Sequence, residues 1–294
     1  MTETELILTS IKNCQRVDLY IDPKPLDSFQ AKQLEEFQRR RANHEPLQYI
    51  LGSCEFMGLK LQVDSRVLIP RPETEILVET ILSFPNALVG NPDEPIAGPP
   101  INTFGGDNLR IGSRPFQILD IGVGSGNISI ALAKHIKECR VTAVDFSKGC
   151  LDLAEWNAKM NSVSDRIQFI QSDVFSAFKT ESFSASFDLI VSNPPYIPTH
   201  ELDSLPPGLH YEPRAALDGG EDGLDFYRRI FAECRFFLKP DGLMFLEIGS
   251  QQTKALEEMF NSFPYLRLFE IRKDLCQRDR VVVIQRSKEA RDKK

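Results

Sequence analysis

The sequence has little that suits a metal centre or a disulfide framework. Its six cysteines, Cys14, Cys54, Cys139, Cys150, Cys234 and Cys276, are scattered, with no C-x-x-C pair and no histidine cluster nearby. That spacing fits reduced thiols in a cytosol, and no metal is expected. Long apolar runs are missing too: none approaches the roughly 18 residues that a membrane span needs. The start, Met1-Thr-Glu-Thr-Glu5, lacks the basic and apolar regions of a secretory signal. Positive charge is in deficit, with 35 Lys and Arg against 42 Asp and Glu and a net charge of −7. A protein that holds nucleic acid mainly by neutralising phosphates has the opposite balance, so no stable nucleic-acid binding is expected, although a local basic patch stays open. Neither an internal repeat nor a low-complexity tract is evident. The expectation is a soluble, cytoplasmic monomer.

What remains is ordinary globular composition, 41% hydrophobic and 26% charged over 294 residues. Residues 1–50 read as helices, with Leu6, Ile7, Ile11 and Cys14 on one apolar face and Phe29, Leu34 and Phe37 on another. The basic run Arg39-Arg-Arg41 reads as a solvated helix face or a contact surface. Alternation around Gly58 predicts a β-hairpin near 53–69. Arg71, between Pro70 and Pro72, is either a turn charge or a pre-positioned side chain; the Thr74-Glu75 end runs into a helix. From Pro85 to Pro115, six prolines and five glycines without periodicity predict a linker and a domain boundary. An N-terminal helical domain over 1–84 and a second domain over 116–294 follow. From Phe116 strands and helices alternate, ending in two strands near 266–271 and 280–284. That pattern predicts an α/β, doubly wound, mostly parallel sheet with its last strands paired as a hairpin.

Two stretches of the second domain carry chemistry. The first, Ile118-Leu-Asp-Ile-Gly-Val-Gly-Ser-Gly-Asn127, joins the first strand to the first helix. Gly122, Gly124 and Gly126 let the backbone turn tightly and approach a ligand, which then meets the N–H groups of the helix start. Val123 and Ser125 lie between them. Alone, a structural βα turn explains the loop as well. Asp145 ends the second strand, where a carboxylate can accept from both ribose hydroxyls of a nucleoside. Asp173, followed by Val174, ends the third strand and could accept from an adenine amine; Asp120 could orient the loop. Any one acid could be a strand-end turn residue, but three on consecutive strands at one sheet edge argue for a shared ligand.

The second stretch is Phe187-Asp-Leu-Ile-Val-Ser-Asn-Pro-Pro-Tyr196. Its apolar run predicts a buried strand, which Pro194 and Pro195 stop, leaving Asn193 at the carboxyl edge. The Asn193 amide, the Pro194 carbonyl and the flat ring of Tyr196 suit a planar –NH2 group. An adenosine site beside such a grip is met economically by S-adenosylmethionine, with S-adenosylhomocysteine as product.

The pairing of Gly122-x-Gly-x-Gly126 with Asn193-Pro-Pro-Tyr196 resembles class I methyltransferases that modify planar nitrogens in DNA, RNA or protein. The flanks narrow the choice: Pro46–Gly52, Glu55-Phe-Met-Gly58, Ile69-Pro-Arg-Pro-Glu-Thr-Glu75, Tyr211-Glu-Pro213, Ala216–Gly220, Asp222-Gly223 with Phe226-Tyr227, and Leu246-Glu-Ile-Gly249 resemble the HemK/PrmC family over nearly the whole chain. The resemblance implies a Rossmann-like, seven-stranded class I methyltransferase fold behind a small N-terminal helical domain that docks the substrate. It implies methylation at N5 of the glutamine in the Gly-Gly-Gln motif of class I peptide chain release factors. Asn193, Pro194 and Tyr196 would be catalytic. Gly122, Val123, Gly124, Ser125, Gly126, Asp145, Asp173, Val174 and Asn193 would hold the cofactor. Pro195, Arg71 and Glu73 would join Asn193, Pro194 and Tyr196 in holding the substrate. The alternative is a nucleic-acid N-methyltransferase acting on an adenine or guanine amine.

Overall fold

The computed structural model describes residues 2–21, 24–84, 114–178 and 185–287. Nearly all of the expected 85–115 linker lies outside them. The N-terminal part is built from α1 (Glu3–Lys12), α2 (Asp18–Ile21), α3 (Ser28–Ala42) and α4 (Leu47–Leu51). Thr2 and Glu5 form a reciprocal capping box at α1, and Asp27 with Gln30 does the same at α3, so each helix starts with its orphan N–H groups satisfied. The run Arg39-Arg-Arg41 is solvated and paired, with Glu36, Glu45 and Glu3 in turn.

The hairpin pairs β1 (Ser53–Phe56) with β2 (Leu59–Gln62). Its two-residue turn, Met57-Gly58, has φ of 49° and 72°, which matches the right-handed twist of the strands. Helix α5 (Pro72–Leu82) opens with proline at its first position, as the missing N–H there costs nothing.

A seven-stranded sheet follows, formed by β3 (Phe116–Ile121), β4 (Cys139–Asp145), β5 (Ile167–Gln171), β6 (Phe187–Ser192), β7 (Leu238–Glu247), β8 (Leu266–Lys273) and β9 (Asp279–Arg286). Its order is β5-β4-β3-β6-β7-β9-β8, parallel except where β9 meets β7 and β8. Helices α6 (Asn127–His135) and α7 (Lys148–Met160) cover one face together with α5 and the hairpin. Helices α8 (Asp225–Phe237) and α9 (Thr253–Phe260) cover the other, over an aromatic-rich core that includes Phe175, Phe231 and Phe237. The strand order reverses between β3 and its neighbours β4 and β6, and the crevice at their carboxyl ends is where open α/β sheets bind ligands. Among the described residues no helix is long and apolar enough to cross a membrane, and no group of His, Cys, Asp and Glu could hold a metal ion.

Candidate active site

After β3 the chain turns through Gly122 and Gly124, with φ of 79° and 52°. A Cβ on either would meet nothing within 4 Å, so this backbone faces open space. Gly126 plays another part. It caps α6, and a Cβ there would lie 2.9 Å from Ile130 Cδ1 and 3.1 Å from Ala154 Cβ, so its bareness lets α6 and α7 pack closely. The cleft above the loop is lined by Gly122, Val123, Gly124, Ser125, Asp145, Asp173, Val174, Asn193, Pro194, Pro195 and Arg71. Gly126, Tyr196 and Glu73 are outside that lining.

Asp145, at the end of β4, is 8% exposed. Its Oδ2 accepts the Gly124 N–H at 3.0 Å and its Oδ1 the Ser147 N–H at 2.9 Å. Burial raises its pKa, while these two N–H groups favour the charge. Each oxygen retains a lone pair for a further donor. Phe146, next in sequence and 59% exposed, presents a ring to the cleft. Asp120 is fully buried: Oδ2 accepts from the Ser129 hydroxyl at 2.5 Å, and Oδ1 has no partner among the described residues. Burial pushes its pKa to about 7, against the Ser129 hydrogen bonds.

Asp173 reaches the rim already paired, with the Arg229 guanidinium of α8 2.7 Å away. Arg229 also lies over the ring of Phe226, itself part of the lining, 5.6 Å from its centroid. Val174 has φ of 53°, a left-handed conformation that a β-branched side chain resists. Its carbonyl accepts from the Ser172 hydroxyl at 2.9 Å, which holds the turn.

Across the cleft, Asn193 Nδ2 donates to Thr74 Oγ1 of α5 at 3.1 Å. Among the described residues nothing donates to Asn193 Oδ1 or to the Pro194 carbonyl. The Tyr196 carbonyl, in contrast, accepts Gln252 Nε2 at 2.9 Å. Gly223 and Gly219 press against Tyr196, so close that a Cβ on Gly223 would come 2.4 Å from that carbonyl. The Tyr196 ring is half-buried, and its phenol is pushed to about 12 by burial and by Glu247.

Arg71 lines the cleft with its Nη2 donating to Glu212 Oε1. Glu212 Oε2 accepts the Ile69 N–H at 3.0 Å, so one buried carboxylate clasps both ends of Ile69-Pro-Arg71. Glu73 is exposed. Sequence reasoning assigned no part to Phe146, Thr74 or Glu212. Phe146 had a usable signal, an aromatic directly after the second-strand acid; the pairings of Thr74 and Glu212 leave no local mark.

Two family profiles match: a methyltransferase small domain over residues 110–204 and a PrmC N-terminal domain over residues 1–52. Among solved structures, the hMettl16 catalytic domain in complex with MAT2A 3′UTR hairpin 1 aligns at a TM-score of 0.57 and 15% identity, over 90% of this chain and 92% of that one. Human methyltransferase 10 domain containing protein aligns at 0.51 and 17%, over 90% and 99%. Together with the sheet order and the glycine loop, these make the chain a methyltransferase of the class I fold.

Full-length relatives narrow this. A release factor glutamine methyltransferase of Thermodesulfovibrio yellowstonii is 36% identical over 97% of this chain and 92% of its own length. That of Geobacter sulfurreducens is 40% identical over 88% and 80%, and the human MTRF1L release factor glutamine methyltransferase 37% over 90% and 74%. The chain belongs to the release factor glutamine methyltransferase family.

Proposed function

We propose that this protein transfers the methyl group of S-adenosylmethionine to the side-chain amide nitrogen of the glutamine in the Gly-Gly-Gln motif of class I release factors. The observation that carries the reading is the pair of free acceptors on two lining residues of the cleft, Asn193 Oδ1 and the Pro194 carbonyl. An amide –NH2 has two hydrogens, and two acceptors can hold both.

The cleft fits the cofactor. Gly122 and Gly124 leave room where a Cβ would project. Asp145 keeps lone pairs for ribose hydroxyls, and the exposed Phe146 ring offers an apolar face to a base. Val123, Ser125 and Val174 complete that side of the wall. Asp173 would accept from the adenine amine only by sharing its charge with Arg229. Gly126 would contribute by setting the position of α6. When bound, S-adenosylmethionine would supply a methyl group on a sulfonium, the thioether S-adenosylhomocysteine leaving as an in-line nitrogen takes the methyl and gives up one proton to water.

The remaining steps belong to the chain. Asn193 Oδ1 and the Pro194 carbonyl hold the acceptor amide and favour a more pyramidal nitrogen as its lone pair becomes available; this accelerates transfer only as far as it strengthens toward the transition state. Pro195 fixes the direction of the turn, and the ring of Tyr196 buttresses it from behind. Arg71 stands at the cleft wall as a substrate contact, and Glu73 would meet substrate only outside the cleft lining. A glutamate in place of the substrate glutamine brings no –NH2 and sets a negative charge against acceptor oxygens. The test is incubation with methyl-labelled S-adenosylmethionine and either intact release factor, its Gly-Gly-Glu variant or duplex DNA. Label in the first alone is expected; label in DNA and not in protein overturns the reading.

A further inference from the structure

Behind the Asn-Pro-Pro-Tyr turn lies a carboxyl that the proposed chemistry does not use. Glu247, the last residue of β7, is 1% exposed. Its backbone carbonyl accepts the Tyr227 hydroxyl at 2.8 Å, which pins the strand end. Its polar neighbours are the Thr74 hydroxyl from α5, the Tyr196 phenol from the turn after β6, and Arg280 from β9, and among the described residues none of the three is hydrogen-bonded to the carboxyl. Glu73 of α5 and Tyr227 of α8 are the other titratable neighbours. Arg280 pairs with Asp274 at 3.2 Å, and Glu247 Oε2 has no partner among the described residues. A buried carboxyl without full pairing costs stability, and the fold gains nothing evident from this one.

We propose that Glu247 is a positioning residue that decides, through Thr74, which end of the Asn193 amide faces the cleft. This rests on the function proposed above. A threonine hydroxyl has one hydrogen. An ionised Glu247 draws the Thr74 hydrogen toward its charge, and Thr74 Oγ1 can then only accept from Asn193, as it does at 3.1 Å. Asn193 Nδ2 is then held at the back and Oδ1 faces the acceptor amide. When Glu247 is protonated, its own O–H can donate to Thr74, which frees the threonine hydrogen for Asn193. The amide then turns over, and an –NH2 faces the substrate –NH2, donor against donor. Burial pushes Glu247 to about 7, opposed by Thr74, Arg280 and Tyr196, so the two arrangements exchange near neutrality. Activity belongs to the ionised form and falls as pH falls.

Full-length protein assayed on intact release factor at saturating S-adenosylmethionine tests this. Wild-type kcat should fall about tenfold per pH unit below a midpoint near 7, and Glu247→Gln should lose that limb and run at a low, flat rate. Thr74→Val should lower kcat by about tenfold or more with cofactor affinity kept within about threefold, and Thr74→Ser should recover most of the loss. Without turnover, the affinity of the S-adenosylhomocysteine-loaded protein for a Gly-Gly-Gln peptide should weaken as pH falls in wild type and stay level in Glu247→Gln. Wild-type turnover with the acid limb unmoved in Glu247→Gln, or with Thr74→Val as fast as wild type, overturns the relay alone. Absence of wild-type methylation of release factor overturns the function on which it rests.

Discussion

Replacing Asp145 by alanine removes an acceptor that serves two ends. In the protein alone its carboxylate takes the N–H groups of Gly124 and Ser147, and so ties the glycine loop to the start of α7. With the cofactor present, its remaining lone pairs would take ribose hydroxyls. A hydrogen bond to a charged group contributes about 1.5–3 kcal/mol, which is about 10- to 150-fold in a dissociation constant. Loss of the ribose bonds alone therefore predicts weakening of that size, and a loosened glycine loop adds to it. Asp145→Asn is the informative companion. Its carbonyl can serve one backbone N–H, but its –NH2 then meets the other, donor against donor, so Asn should bind little better than Ala. Calorimetry with S-adenosylmethionine and with its 2′-deoxyribose analogue separates the two effects in a cycle. Wild type should lose affinity for the deoxy compound, whereas Asp145→Ala should bind both alike. Unchanged affinity in a folded Asp145→Ala protein, or an equal deoxy penalty in both proteins, would refute the ribose contact.

Asn193→Ala should keep cofactor affinity within a few fold while turnover on release factor drops by about 10² or more; a proportional loss of cofactor affinity would make Asn193 a cofactor ligand instead. Glu212→Ala should lower unfolding free energy by about 2–4 kcal/mol, because it leaves the buried Ile69 N–H without an acceptor and Arg71 without its partner; an unmoved denaturant midpoint would show that the clasp holds nothing. Asp120 titrates near 7 in the folded chain against 3.8 ordinarily, so the folded state binds more protons between those values. Its contribution is whole below 3.8 and is lost as pH rises through about 7, so Asp120→Asn should flatten the fall in melting temperature over that window. Identical slopes in the two proteins would dispose of this account.

Much of the fold was legible because its signals are local. The buried strand Phe187–Ser192 stops just before the two prolines, as expected where no ladder can continue through them. The reversal from parallel to antiparallel at β9 was legible from the closing pair of strands without an intervening helix. β7 is less legible. Pro240 and Gly242 are residues that usually break a strand, yet this one runs from Leu238. The pairing with β6 jumps between Phe187 and Leu189, so the stretch containing Pro240 lies in the irregular part of the ladder, where a missing N–H costs little.

The site divides along the same line. The glycine loop and its strand-end acids were readable because each answers a local demand, a left-handed backbone or a carboxylate at a sheet edge. Partners joined by the fold were not. Asn193 and Thr74 are 119 residues apart in the chain, and Glu212 is 143 and 141 from the two groups it clasps. Nothing in the spacing of Thr74 within α5 says that its hydroxyl meets an amide; that depends on the helix lying against the sheet. Leu77, Val78 and Ile81 of α5, with Phe56 and Leu61 of the hairpin, are buried in the same core as Leu189, Val191 and Phe245. The apolar face that looked like the end of an N-terminal domain is thus what carries Thr74 and Arg71 to the cleft. A site assembled in this way couples chemistry to packing: a substitution on the buried face of α5 changes where the Thr74 hydroxyl stands and, with it, which end of the Asn193 amide meets the substrate.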